Sequence, residues 1–402
     1  MNFPKSWDIR RSRFCVSLRD VRGEEAPLAS ATKDGVFLRG DLEISVWNPL
    51  SDTSSYKLVE PDDFVIGLRS FQHGISHSEV RGNVSPAYTV LRPGADVYAG
   101  YLKYYFRSSL LISQLANITQ GIRQGQAIDI EAFRNLLLPV PPLWEQRRIA
   151  DFLDAETARI DRIRNARLRQ LSLIEEKLES TLYYKLVRSS AITVQLRRLG
   201  IRVTTGPFGT VFSASEYQFG GIPMINPVHI KNGEIVPDRN HAVSPAMAAR
   251  LHRHLLRSGD LIVGRKGDIG QAAIVRPDQD GWVCGSDSIA LHPNTEKVRS
   301  EYLAYALRSK FVRSQLLARS LATTMPSLSE GNLLSLEIPQ LELHEQDRII
   351  RSIDHVQAWK AKAVAAMQSQ LSLLSERRQA LITAAVTGQF DVASASGRGV
   401  GA

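Results

Sequence analysis

The stretch Pro139-Val-Pro-Pro-Leu-Trp-Glu-Gln146, which runs on without a break to Glu176, is written a second time in the chain. It recurs as Pro339-Gln-Leu-Glu-Leu-His-Glu-Gln346 and continues to Glu376. At an offset of 200 the two copies share 14 of 38 positions, among them Glu145/Glu345, Gln146/Gln346, Arg148/Arg348 and Asp154/Asp354. That is far above coincidence, so the chain is a tandem duplication. The likeness extends upstream. Tyr101-Leu-Lys-Tyr104 parallels Tyr302-Leu-Ala-Tyr305 at an offset of 201, Pro61–Gly67 parallels Ser258–Gly264 at 197, and Asp8–Arg11 parallels Gln195–Arg198 at 187. The repeated stretches hold their spacing while the segments before them drift. One constant frame thus carries two variable modules.

The repeated stretches read as helices. Ile149, Phe152, Leu153, Ile160, Ile163, Leu171, Ile174, Leu178 and Leu182 recur at three- and four-residue steps, and no Pro or Gly falls between Trp144 and Arg188. The second copy gives Ile349, Ile353, Val356, Ala363, Met367, Leu371, Leu374 and Leu381, unbroken until Gly388. Helices of about 40 residues are roughly 60 Å long, too long for one small globular core to cover. Two such stripes in one chain can cover each other as a coiled coil. Roughly 150 residues separate the two helices, enough to return the chain to either end. Sequence spacing therefore leaves parallel and antiparallel pairing both open. The variable modules look mixed: Asp63-Phe-Val-Ile-Gly67 and Asp260-Leu-Ile-Val-Gly264 read as short buried strands bounded by turns, followed by helical stretches.

Composition narrows the function classes. At 402 residues the chain needs two or three domains. A net charge of +9 suits a polyanionic partner, and equally suits simple solubility. No apolar run reaches bilayer length, and Met1–Arg11 lacks the apolar stretch of a secretion signal. With two cysteines, Cys15 and Cys284, neither a disulfide framework nor a cysteine metal site is expected. A cytoplasmic protein is the expectation.

The search for catalytic chemistry is largely negative. Gly264-Arg-Lys-Gly-Asp-Ile-Gly270 lacks the spacing of a phosphate loop. Asn226-Pro-Val fails at the third position as an amino-methyltransferase motif. Glu175-Glu-Lys177 sits on the long helix as a solvated face, and His252-x-His254 lacks further ligands at metal-site spacing. What remains suits DNA reading: basic and polar residues in Gly-rich loops after strands, where side chains can reach groove edges or phosphates. The candidates are Thr205, Phe208, Lys231, Arg265, Lys266, Asp268, Thr323 and Thr324 in the second module. In the first they are Arg69, Gln72, His73, Arg123 and Gln124. Each can also be read as an ordinary exposed loop residue.

The combination resembles the specificity subunits of type I restriction–modification systems. It is carried by Leu138–Gln146, Thr323-Thr-Met-Pro-Ser-Leu328, Ile338-Pro339 with Glu345-Gln346, Thr205-Gly-Pro-Phe-Gly209, Gly221-Ile-Pro-Met-Ile225 and Ser258–Gly264, over roughly residues 5–390. The first module departs from the pattern. It lacks the Gly-Pro-Phe-Gly turn and has Gly121-Ile-Arg-Gln-Gly125 where the second has Ala322-Thr-Thr-Met-Pro326.

The resemblance implies a mixed α/β fold: two globular target-recognition domains separated by two long helices that form an antiparallel intramolecular coiled coil. The expected segments are a first recognition domain over 1–140, a helix over 141–188, a second recognition domain over 189–338, a helix over 339–390 and a disordered tail over 391–402. It further implies that each domain reads one half of a bipartite, asymmetric double-stranded DNA site and that the helices set the spacer. Two methyltransferase subunits and a motor-nuclease subunit are the implied partners. No catalytic site, cofactor, metal or membrane contact is expected. The competing readings are an interaction scaffold without nucleic acid and a single-chain restriction enzyme.

Overall fold

The computed structural model describes residues 3–42, 53–120, 127–187, 192–266, 270–320 and 328–392. Contacts group the chain into two units that cut across the expected segments. The first comprises Met1–Leu168 with Met367–Ala402, the second Arg169–Ala366. Each unit therefore contains one variable module plus part of both long helices, Leu143–Val187 and Leu343–Val386.

In the first unit a four-stranded antiparallel sheet has the order Val16–Arg19, Thr89–Pro93, Phe64–Ile66, Ser76–His77. The Phe-Val-Ile run is apolar throughout because both faces of this strand are covered. Phe64 and Ile66 enter the main core, while Val65 enters a smaller core with Val36, Val59 and Val90. The main core also holds Tyr101, Tyr105 and Phe106, Ile149 and Leu153 from the first long helix, and Ile382, Ala385 and Val386 from the second. Phe152 packs on Phe390, and Arg378 Nε lies 3.7 Å from Asp161. Rising numbers on one helix meet falling numbers on the other, so within this unit the two helices run antiparallel. Val392 is buried in the same core, which places the start of the expected tail inside the unit; residues 393–402 lie outside the described residues.

The second unit repeats the plan. Its sheet has the order Arg202–Thr205, Ser288–His292, Leu261–Gly264, Ala272–Ile274. Leu261 and Val263 face one core and Ile262 another. A further three-stranded sheet joins Ile222–Ile225 to Ala242–Val243 and, in parallel, to Val283–Cys284. Leu186, near the end of the first long helix, shares a core with Ile353 near the start of the second, and Lys185 donates a hydrogen bond to Ser352. The side chains of Leu178 and Leu182 lie outside the described residues.

The repeated residues form the same joint in both units. Gln146 is fully buried at the helix start. Its Oε1 accepts from the Tyr98 backbone N–H at 2.7 Å, and its Nε2 donates to the carbonyls of Pro141 and Asp96. Gln346 does the same with Arg299, Leu341 and Lys297. Tyr101 donates to the Pro139 carbonyl at 2.9 Å and Tyr302 to that of Pro339 at 2.8 Å. Tyr104 and Tyr305 donate to Asp154 and Asp354. A buried amide that satisfies three backbone groups leaves no cheap substitute. This accounts for the repetition of Gln146/Gln346 and Asp154/Asp354 at constant spacing.

Candidate nucleic-acid interface

In the second unit one end of the four-stranded sheet gathers three turns. Thr205 pairs with Ile289 and Gly264 with Ser288, so the loops after Thr205 and Gly264 and the turn before Ser288 emerge side by side. Gly206 makes this possible. A Cβ there would lie 1.8 Å from the Gly285 carbonyl oxygen, so only glycine lets the two backbones touch. Phe208 follows, about half exposed. The Arg265 guanidinium lies 4.7 Å from its ring centroid, a cation–π contact. Arg265 Nε donates to the Leu328 carbonyl at 3.2 Å, and the Arg265 backbone bonds both Asp287 and Leu328. Its Nη1 is buried without a hydrogen-bond partner among the described residues. Lys266 reaches Asp287 at 2.9 Å. Thr205 donates to Glu330, and its carbonyl lies 2.9 Å from His254 Nδ1. A carbonyl can only accept, so His254 Nδ1 carries a proton. Burial also lowers the pKa of His254. That accounts for one half of the His252-x-His254 pair.

Thr205, Phe208, Arg265 and Lys266 thus meet at one sheet end. Lys231 does not. It lies in the hairpin Ile230–Lys231/Glu234–Ile235, where Arg308 donates to the Asn232 carbonyl and Glu234 lies 3.8 Å from Arg276. Ile274, two residues before Arg276, pairs with Leu261, at the end of the sheet opposite Gly264. Asp268, Thr323, Thr324, Arg123 and Gln124 lie outside the described residues.

In the first unit Arg69 and His73 line a cleft of about 400 Å³ with Thr32, Lys33, Gly67, Leu68 and Tyr88. Gln72 is exposed next to it. Lys33 and Tyr88 escaped the sequence reading. Lys33 sits on the turn between Ala29–Ala31 and Val36–Leu38, and Ser76 pins that turn by donating to the Thr32 carbonyl at 2.8 Å. No local motif announces a bond spanning 44 residues.

A further cluster lies in the second unit. His229, Asp238 and His241 bring ligand-type atoms within 4.8 Å of one another. His229 Nδ1 accepts from the Asn226 N–H at 3.1 Å, which leaves the ring proton of the neutral imidazole on Nε2. Burial, then the neighbouring His241, lowers the pKa of His229. His229 Nε2 is buried without a hydrogen-bond partner among the described residues, and within the cluster His241 Nδ1 lies 2.9 Å from Asp238. No helix among the described residues is long and apolar enough to cross a membrane.

Comparison with known proteins agrees with this frame. Residues 207–367 match the family model of the type I restriction modification DNA specificity domain. The EcoKI type I restriction enzyme specificity subunit of Escherichia coli K12 is 21% identical over 395 residues, covering 92% of this chain and 83% of the relative. The EcoBI specificity subunit of Escherichia coli is 24% identical over 64% of this chain and 59% of its own length. Among solved structures, a chain from a type I R-M system superposes with a TM-score of 0.74 at 19% identity, covering 97% of this chain and all of that one. The HsdS subunit of Thermoanaerobacter tengcongensis gives 0.55 at 18% identity, covering 97% and 99%.

Proposed function

We infer that this chain, a specificity subunit of the type I restriction–modification family, reads one half of a bipartite, asymmetric DNA site with each of its two modules. The observation that carries the reading is the sheet end of the second unit, whose Phe208, Arg265 and Leu328 fall inside the matched specificity domain. There Arg265, stacked on the half-exposed Phe208 and hydrogen-bonded through Nε to Leu328, is held at an edge built from glycine turns. An arginine at such an edge can donate to a phosphate or a base, and an exposed ring can follow it against sugar or base. Lys266 and Thr205 supply further polar contacts at the same edge. Thr323, Thr324, Asp268, Arg123 and Gln124 are proposed contacts on the sequence pattern alone.

The chain reads and does not itself cut or methylate DNA. Methyltransferase subunits, two per chain in keeping with the duplication, dock along the long helices. Exposed apolar side chains such as Trp144, Leu173, Tyr184, Trp359 and Leu373 support that role, because scattered large apolar groups on a helix suit burial by a partner. A motor-nuclease subunit joins for cleavage, and the cytoplasm is the compartment in which such a complex meets its DNA. Methylation-sensitive sequencing of host DNA tests the reading. The expected result is a split motif methylated on both strands that disappears when this chain is deleted. An unchanged methylome after deletion would overturn it.

A further inference from the structure

The two units share one hydrogen-bond register, and the register makes their reading edges directly comparable. Phe64 pairs with Leu91 as Leu261 pairs with Leu291, and Ile66 pairs with Thr89 as Val263 pairs with Ile289. Counting on, Gly67 corresponds to Gly264, Leu68 to Arg265, Arg69 to Lys266, Tyr88 to Ser288 and Ala87 to Asp287. In the second unit the cation at this position, Lys266, is held by Asp287 at 2.9 Å. In the first unit the carboxylate is replaced by a methyl group. Arg69 accordingly makes no side-chain hydrogen bond or ion pair among the described residues, and it faces the cleft it shares with Lys33 and Tyr88. Lys33 is likewise unpaired among the described residues.

The walls of this cleft are fixed. Gly74 ends the short helix Ser70–His73 with φ +83°, and a Cβ there would lie 2.2 Å from the Phe106 carbonyl oxygen. Ser70 Oγ accepts from the Gly67 N–H at 2.9 Å, and Thr32 closes the opposite turn on Gly35. Two unpaired cations on rigid turns call for an anionic or acceptor-rich ligand.

We propose that Arg69 is the base-reading residue of the first unit, with Lys33 across the cleft taking a backbone phosphate and exposed Leu68 contributing apolar contact. The proposal rests on the reading above that the chain recognises DNA. Arginine is assigned the base because its fork matches the O6/N7 edge of guanine, whereas a lysine on a turn tip acts as a mobile point charge. The two units then read with different chemistry at corresponding positions: a stacked Arg265 in one, and Arg69 displaced by one residue in the other.

The test uses the assembled methyltransferase complex and duplexes in which each base pair of both half-sites is varied in turn. Arg69→Ala should lose discrimination by about ten-fold or more at a base pair of one half-site and leave the other half-site intact. Arg69→Lys should lose the same discrimination while keeping the salt dependence. Lys33→Ala should weaken all sequences alike and make the salt slope shallower by about one. Ala87→Asp, which supplies the missing carboxylate, should mimic Arg69→Ala. Unchanged discrimination in Arg69→Ala, or equal loss at both half-sites, would overturn the assignment. If the unmodified complex shows no sequence preference, the DNA-recognition reading itself fails, which is a different result.

Discussion

Single residues decide whether the proposed reading edge exists at all. Gly206 is the clearest case, because its backbone rests on that of Gly285, whose own Cβ would lie 2.1 Å from Asn226 Oδ1. The Gly285 N–H also donates to the Ile225 carbonyl at 2.9 Å, so three segments far apart in sequence meet backbone to backbone. Replacing Gly206 with Ala must push one of them away, at a cost of about 1–3 kcal/mol. The displaced turn carries Phe208, the platform for Arg265. Thermal unfolding should show the lost stability, and methylation assays should show weaker discrimination at one half-site only. Wild-type stability together with wild-type discrimination would count against this account of the turn. Asp63 and Asp260 show a quieter role. Each caps the turn before its strand, through the Glu60 and Arg257 N–H groups, yet Asp63 then binds Arg19 and Arg92 while Asp260 meets His292. Glu60 joins the same pair of arginines, which hold its carboxyl at about 2.

At the scale of elements, the long helices are frame and spacer together. Their stripes are only half-buried along the middle: Arg167, Leu171 and Ile174 on the first, Val356, Ala363, Met367 and Leu371 on the second. That is the exposure expected of a two-helix pairing, where no third element covers the seam. Both ends of each helix, by contrast, enter globular cores at Ile149 and Leu153, Leu186, Ile353, and Ile382 and Val386. Removing residues 164–170 from the first helix alone deletes two turns and about 10 Å of rise. The seam keeps its heptad phase, but Leu153 and Leu186 are brought about 10 Å closer together along the helix. Methylation at the original site should be lost. Survival of that methylation, read by sequencing, would refute the spacer role.

At the scale of the whole molecule, the charge of +9 acts as a sequence-independent term. Binding should weaken steeply with salt, with a slope near −0.9 for each phosphate neutralised. A titration of the assembled complex on specific and scrambled duplexes should give similar slopes and different intercepts, because phosphate contacts position while base contacts specify. Equal intercepts would remove sequence readout. The two thiols are spectators at this scale. Cys15 and Cys284 are buried in separate units, and burial pushes them up to about 11 and about 12.

The sequence by itself determined the duplication and the two helices. Those features are local or periodic: a stripe every three to four residues, a Gln-centred joint repeated at 200, apolar runs bounded by Gly. Even the reason for the repeated Gln was half legible, as a constant feature beside drifting ones. Tertiary structure decided which loop residues meet. Thr205, Phe208, Arg265 and Lys266 converge because strands separated by dozens of residues pair in one register, whereas Lys231, basic and exposed, was carried to the other end of the sheet. It also supplied Lys33 and Tyr88 and exposed the exchange of Asp287 for Ala87. The physical reason is that antiparallel pairing brings together residues whose separation depends on loop length, and loop length is what the two copies did not conserve.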